Sequence, residues 1–129
     1  MSNIKIGITQ GDINGISYEV ILKTLEDNRI CELCTPIVYG SPKVAAYHRK
    51  MLNLNVNLNI INKAEEAQEK KSNIINCCND EIKVEVGQST PQAGEAAFKA
   101  LEKATRDLKE RKIDVLVTAP INKNNIQSE

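Results

Sequence analysis

The chain has 129 residues, enough for one modest core rather than two. Its 17 basic and 17 acidic residues cancel, so no global field draws it to nucleic acid or to an anionic membrane. One phenylalanine and three tyrosines are too few for a base-stacking surface, and no apolar run reaches the length of a membrane helix. The N-terminus lacks the basic-then-apolar layout of a signal peptide, so a soluble cytoplasmic protein is expected.

Ile4, Ile6 and Ile8 predict a first strand running into Thr9. Behind a loop rich in glycine, Ile16, Val20, Ile21 and Leu25 recur at helical spacing, predicting a helix from about Gly15 to Glu26. Cys31 and Cys34 form a C-x-x-C that closes a helix, and TPIVYG is a short apolar strand ended by Gly40. Ser41 has the chemistry of an N-cap and Pro42 suits the first helical position, so a helix is expected through Met51. NLNVNLNII alternates strictly. Leu54, Val56, Leu58 and Ile60 share one face and four asparagines the other, which predicts a strand with one wet face.

Lys63 to Lys71 is a charged connection or a short exposed helix, followed by expected strands in SNIINCC and IKVEV. Thr90 and Pro91 start the longest helix, which runs to about Arg111 with Ala93, Ala97, Leu101, Ala104 and Leu108 on one stripe. DVLVTAP is a buried-type strand ended by Pro120, and INKNNIQSE begins a new element. Strands alternating with helices predict a layered αβα domain with a mainly parallel sheet. The chain stops within a turn or two of that new element, so a truncated domain is expected.

The four cysteines tempt one toward zinc, but a zinc ribbon needs two spaced pairs whose thiolates converge. Cys77 and Cys78 are adjacent and would point to opposite faces of a strand. Buried or half-buried free thiols are expected, and no metal site. His48, the only histidine, lies inside a predicted helix in YHRK, where a surface position is expected.

Ligands of open α/β sheets sit beyond the carboxyl ends of strands, where three loops are visible: residues 9–15, 40–43 and 118–123. In the first, Gly11 and Gly15 permit positive φ and close backbone approach, and the following helix offers N–H groups to an anion or polar oxygens. Two roles fit Asp12 and Asn14: orienting a hydroxyl or amide, or only capping the helix. Neither G-x-G-x-x-G nor a P-loop is present. Gly40, Ser41, Pro42 and Lys43 are accounted for by capping. Thr118, Asn122 and Lys123 follow the last strand, where Lys123 is either a point charge for a phosphate or carboxylate or a solvated surface lysine.

KIGITQGDINGISYEVILK, followed about a hundred residues later by DVLVTAPINK, resembles the N-terminal part of the 4-hydroxythreonine-4-phosphate dehydrogenase family. ELCTPIVYGSPKVAAYHRK and the Pro-led long helix extend the resemblance through residues 1–129. More distantly, Gly11-Asp12, Gly15-Ile16 and Glu19-Val20 are similar to the G-D-G-I-G-P-E-V opening of isopropylmalate and isocitrate dehydrogenases. The resemblance implies an isopropylmalate dehydrogenase-like fold, incomplete here, with no complete second domain. It implies NAD-dependent oxidation of the secondary alcohol of 4-phosphooxy-threonine. The 3-oxo acid then decarboxylates to 3-amino-2-oxopropyl phosphate, in vitamin B6 (pyridoxal phosphate) biosynthesis. It further implies a divalent metal (Zn, Mg or Co) and a homodimer.

Two departures stand out. Ser17 and Tyr18 occupy positions where the family usually has glycine and often proline. Family members are also over twice as long, and their substrate-binding His-Thr pair and three metal-binding histidines fall beyond residue 129. No catalytic residue and no bound cofactor is therefore expected in this chain alone. Gly11, Asp12, Asn14, Gly15, Thr118 and Lys123 are expected to line the edge of a cleft. A sister dehydrogenase of threonate or erythronate phosphate, or a non-catalytic α/β binding module, is the rival expectation.

Overall fold

The structure, a computed structural model, describes residues 4–27, 29–77, 84, 87 and 89–119. Five parallel strands form one sheet in the order β3-β4-β2-β1-β5: β1 is Ile4–Thr9, β2 Cys34–Gly40, β3 Asn59–Ile61, β4 Asn73–Asn76 and β5 Val115–Thr118. The helices are α1 (Ser17–Leu25), α2 (Ile30–Leu33), α3 (Pro42–Met51) and α4 (Pro91–Lys109), with a 3-10 turn at Ala64–Glu66. The predicted layered parallel architecture is the one observed.

Strand alternation feeds two cores. Val38 and Ile74 pack with Leu22, Leu25, Val44 and Ala45 on the face covered by α1 and α3. Ile37, Tyr39 and Ile75 pack with Ala100 and Ala104 of α4 on the other. The alanine stripe lets α4 lie close against the strands. Both predicted caps are present: Ser41 Oγ accepts from Val44 N at 3.2 Å and Thr90 Oγ1 from Ala93 N at 3.1 Å, each followed by proline. Pro36 is tolerated in the central strand β2 because pairing with β4 starts only at Ile37.

Several expectations need correction. In α1 the buried stripe is Tyr18, Ile21, Leu22 and Leu25, at i, i+3, i+4 and i+7, while Ile16 and Val20 are exposed. The C-x-x-C closes a helix as expected, but a short one: Cys31 lies within the single turn of α2, and Cys34 is both its C-cap and the first residue of β2. The asparagine-rich segment pairs only over Asn59–Ile61. Leu54, Val56 and Leu58 still pack on the core, but the alternation breaks at Ile60, which is 66% exposed beside buried Ile61. Among the described residues β5 ends the sheet order, so Val115 and Val117, expected to be buried, are exposed. IKVEV, apart from Val84, and INKNNIQSE lie outside the described residues.

Candidate functional site

The carboxyl ends of β1 and β2 lie side by side, in register from Ile4–Cys34 to Thr9–Tyr39, and carry two of the three loops singled out from the sequence. Gln10 N donates to Tyr39 O at 2.9 Å, carrying the pairing one residue beyond β1. The chain then turns through Gly11–Ile16 into α1.

Of the two freedoms glycine permits here, positive φ is used at neither Gly11 nor Gly15; among the described residues that conformation belongs to Gly87 alone of the glycines. A Cβ on Gly15 would meet Asp12 Oδ2 at 3.0 Å, so the absence of a side chain there serves the tight approach of Asp12. Asp12 organises the turn: its Oδ1 accepts from Asn14 N at 3.0 Å, and its carbonyl accepts from Gly15 N at 3.1 Å and Ser17 Oγ at 3.0 Å. The α1 N-cap is Ile16, with no side-chain cap, so Asp12 and Asn14 shape the turn rather than cap the helix. Asn14 is buried. Its carbonyl accepts from Gly87 N at 2.8 Å and its Nδ2 faces Thr90 Oγ1 at 3.4 Å, which joins the loop to the start of α4.

Beneath the loop lies a polar network that sequence reasoning missed. Tyr18, wholly buried, donates its hydroxyl to Gln10 Oε1 at 2.5 Å and accepts from Ser41 N at 3.0 Å. Gln10 Nε2 reaches Ala96 O at 3.2 Å. One phenol thus ties the tips of β1 and β2 together, and one amide ties them to α4. The approach requires Gly40: a Cβ there would collide with the Tyr18 hydroxyl and stand 2.9 Å from Gln10 Oε1. Tyr18 stands at one of the two positions where the chain departs from the resembled pattern, and it fills this space.

His48 is not on the surface. It is 2% exposed, its Nε2 lies 2.7 Å from Ile13 O, and its ring stacks on Tyr18 at 5.5 Å and meets Tyr47 edge-on at 5.4 Å. Burial pushes its pKa below the ordinary value, against a smaller upward pull from the Ile13 carbonyl. The spacing of Val44, Ala45 and His48, all buried on α3, is the signal that marks it as inward-facing.

Thr118 is exposed and pairs with Thr9 at the sheet edge, next to the loop. Asn122 and Lys123 lie outside the described residues. Cys31 and Cys34 are buried free thiols and Cys77 a half-buried one; burial raises the Cys34 pKa, with a further contribution from Cys31. Cys78 lies outside the described residues. Among those described, no group of three His, Cys, Asp or Glu side chains could hold a metal ion.

The family model described as pyridoxal phosphate biosynthetic protein PdxA matches residues 32–129. Over 128 residues the chain is 59% identical to a 4-hydroxythreonine-4-phosphate dehydrogenase of Bacteroides thetaiotaomicron, covering 99% of this chain and 35% of that protein. A Clostridium botulinum protein whose name proposes D-threonate 4-phosphate dehydrogenase activity is 34% identical over 95% of this chain and 37% of its own. Among solved structures, a 4-hydroxythreonine-4-phosphate dehydrogenase from Burkholderia phymatum superposes with a TM-score of 0.86 at 28% identity, over 98% of this chain and 39% of that one. The chain spans little more than a third of the length of the relatives it matches.

Proposed function

The chain belongs to the pyridoxal phosphate biosynthetic protein PdxA family, and from that membership we propose that it forms the N-terminal part of an NAD-dependent 4-hydroxythreonine-4-phosphate dehydrogenase. The observation that carries this reading is the 59% identity to the Bacteroides enzyme over nearly the whole chain. The lower identity, 34%, to the protein named for D-threonate 4-phosphate makes that substrate the second choice. In the proposed reaction the carbinol carbon gives hydride to NAD, the hydroxyl loses its proton, and the resulting 3-oxo acid releases carbon dioxide.

In this reading the 10–15 loop is the rigid edge of a cleft rather than its catalytic group. Gly11, Asp12, Asn14 and Gly15 form that edge, with Thr118 and Lys123 beside it. A loop held by the hydrogen bonds of Asp12, Asn14 and Ile13 suits such a role, because little ordering remains to be done when a ligand arrives. The divalent metal and its ligands would come from elsewhere in a cytoplasmic homodimer. Among the described residues no helix is long and apolar enough to cross a membrane.

The test mixes the full-length enzyme with NAD, a divalent metal and either 4-phosphooxy-threonine or D-threonate 4-phosphate, and follows NADH absorbance. Higher kcat/KM with 4-phosphooxy-threonine is expected. Preference for the threonate would exchange the two assignments, and turnover of neither would sink the reading. Residues 1–129 alone should give no turnover, since among the described residues no group of three His, Cys, Asp or Glu side chains could hold a metal to stabilise a developing oxyanion.

A further inference from the structure

The buried histidine has no part in the reaction just proposed, yet its ring nitrogen meets a backbone carbonyl of the candidate cleft edge. From this geometry we infer that His48 is a positioning residue: its Nε2–H holds the Ile13 carbonyl and so fixes the shape of the Gly11–Gly15 loop. The functional half of this inference rests on the proposed dehydrogenase reading; the structural half stands on its own.

Asp12 ties the loop within itself and to Ser17 of α1, and Asn14 and Gly87 tie it toward the start of α4. His48 adds a tie from α3, at 2.7 Å. Ile13 is itself wholly buried in the core between α1 and α3, so its carbonyl has no ready access to water once that donor is lost. The ring is held by stacking on Tyr18, which also clamps Gln10 and Ser41. A shift of the imidazole would therefore be felt at both strand tips. A histidine that merely filled space would need no donor aimed at the loop.

The experiment replaces His48 in the full-length enzyme with phenylalanine, which keeps the stacking but removes the donor, and with glutamine, whose amide nitrogen reaches the Nε2 position. His48→Phe should raise KM for the phosphorylated substrate about tenfold, as expected for one lost hydrogen bond at the cleft edge, with kcat changed less. His48→Gln should restore KM to within about threefold. If the Phe variant does not fold, His48→Asn takes its place, because its amide stops short of the carbonyl and should give the same loss. Amide hydrogen exchange supplies a readout independent of activity. In the donor-less variant exchange at Asn14 and Gly15 should quicken about tenfold, with β2 and β4 unchanged, and return to normal in the Gln variant. A wild-type enzyme without turnover overturns the proposed reaction and leaves exchange to judge His48. Unchanged exchange and unchanged KM in the donor-less variant, or loss in His48→Gln equal to that in His48→Phe, overturns the inference.

Discussion

Tyr18 and Tyr39 are both wholly buried phenols, placed in the cores on opposite faces of the sheet, and each solves the problem of a buried hydroxyl differently. Tyr18 uses neutral partners, the Gln10 amide and the Ser41 backbone N–H, and thereby joins two strand tips. Tyr39 donates at 2.6 Å to Asp107, a carboxylate 1% exposed on α4, with Lys103 Nζ 3.7 Å away. Burial first, and then this bond to the carboxylate, push the Tyr39 pKa well above the ordinary tyrosine range. The first arrangement depends on shape and holds a loop; the second depends on charge and holds a helix. The two regions should therefore fail in different ways.

The largest effect should come from overfilling the loop end. Gly40→Ala places a methyl group against the Tyr18 hydroxyl and Gln10, neither of which has room to retreat, and should cost about 3 kcal/mol in urea unfolding. Adding Tyr18→Phe should return part of that loss. A Gly40→Ala protein as stable as the parent would show that shape does not govern this end.

On the α4 face, Tyr39→Phe changes almost no volume but leaves Asp107 buried without its short donor. A loss of about 2 kcal/mol is expected, partly recovered by adding Asp107→Asn, which removes the charge. If Asp107→Asn makes the Phe variant worse, charge desolvation is not the dominant cost there.

A smaller effect separates the two regions by pH. His48 sits in the Tyr18 region with its folded pKa below the ordinary 6.5, so between those two values the unfolded chain binds more protons than the folded one. Stability from this group is present above about pH 6.5 and is lost as pH falls through the folded pKa. The urea midpoint should drop on acidification below about pH 6.5, and His48→Gln should flatten that part of the profile. An identical slope in both proteins would assign the acid sensitivity to other groups.

Much of the fold was legible because its signals are local. Ser41-Pro42 and Thr90-Pro91 each carry a capping oxygen and a preset φ within two residues, and both helices begin there. Isoleucine alternation marked β1, and the alanine stripe marked the face of α4. The asparagine-rich segment misled because apolar alternation reports a buried side, which Leu54 and Val56 do have, and not a hydrogen-bonded neighbour; β4 provides that neighbour only from Asn73 onward. β5 misled for the converse reason. Its residues suit an interior strand, but among the described residues it ends the sheet order.

The candidate site was half legible. Gly11, Asp12, Asn14 and Gly15 announced a loop after a strand, and the loop is there, with glycine used at Gly15 for close approach rather than for a left-handed backbone. The amino-acid sequence by itself thus determined where elements start, which faces are apolar and where a ligand-facing turn falls, because caps, periodicity and glycines act over a few residues. Only the tertiary structure decided that Tyr18, Gln10, Gly40 and His48 form one assembly, since α1, β1, β2 and α3 each contribute or flank one of them. Helical and strand geometry sets the direction of each side chain, but which distant partner completes its hydrogen bond depends on how the layers pack.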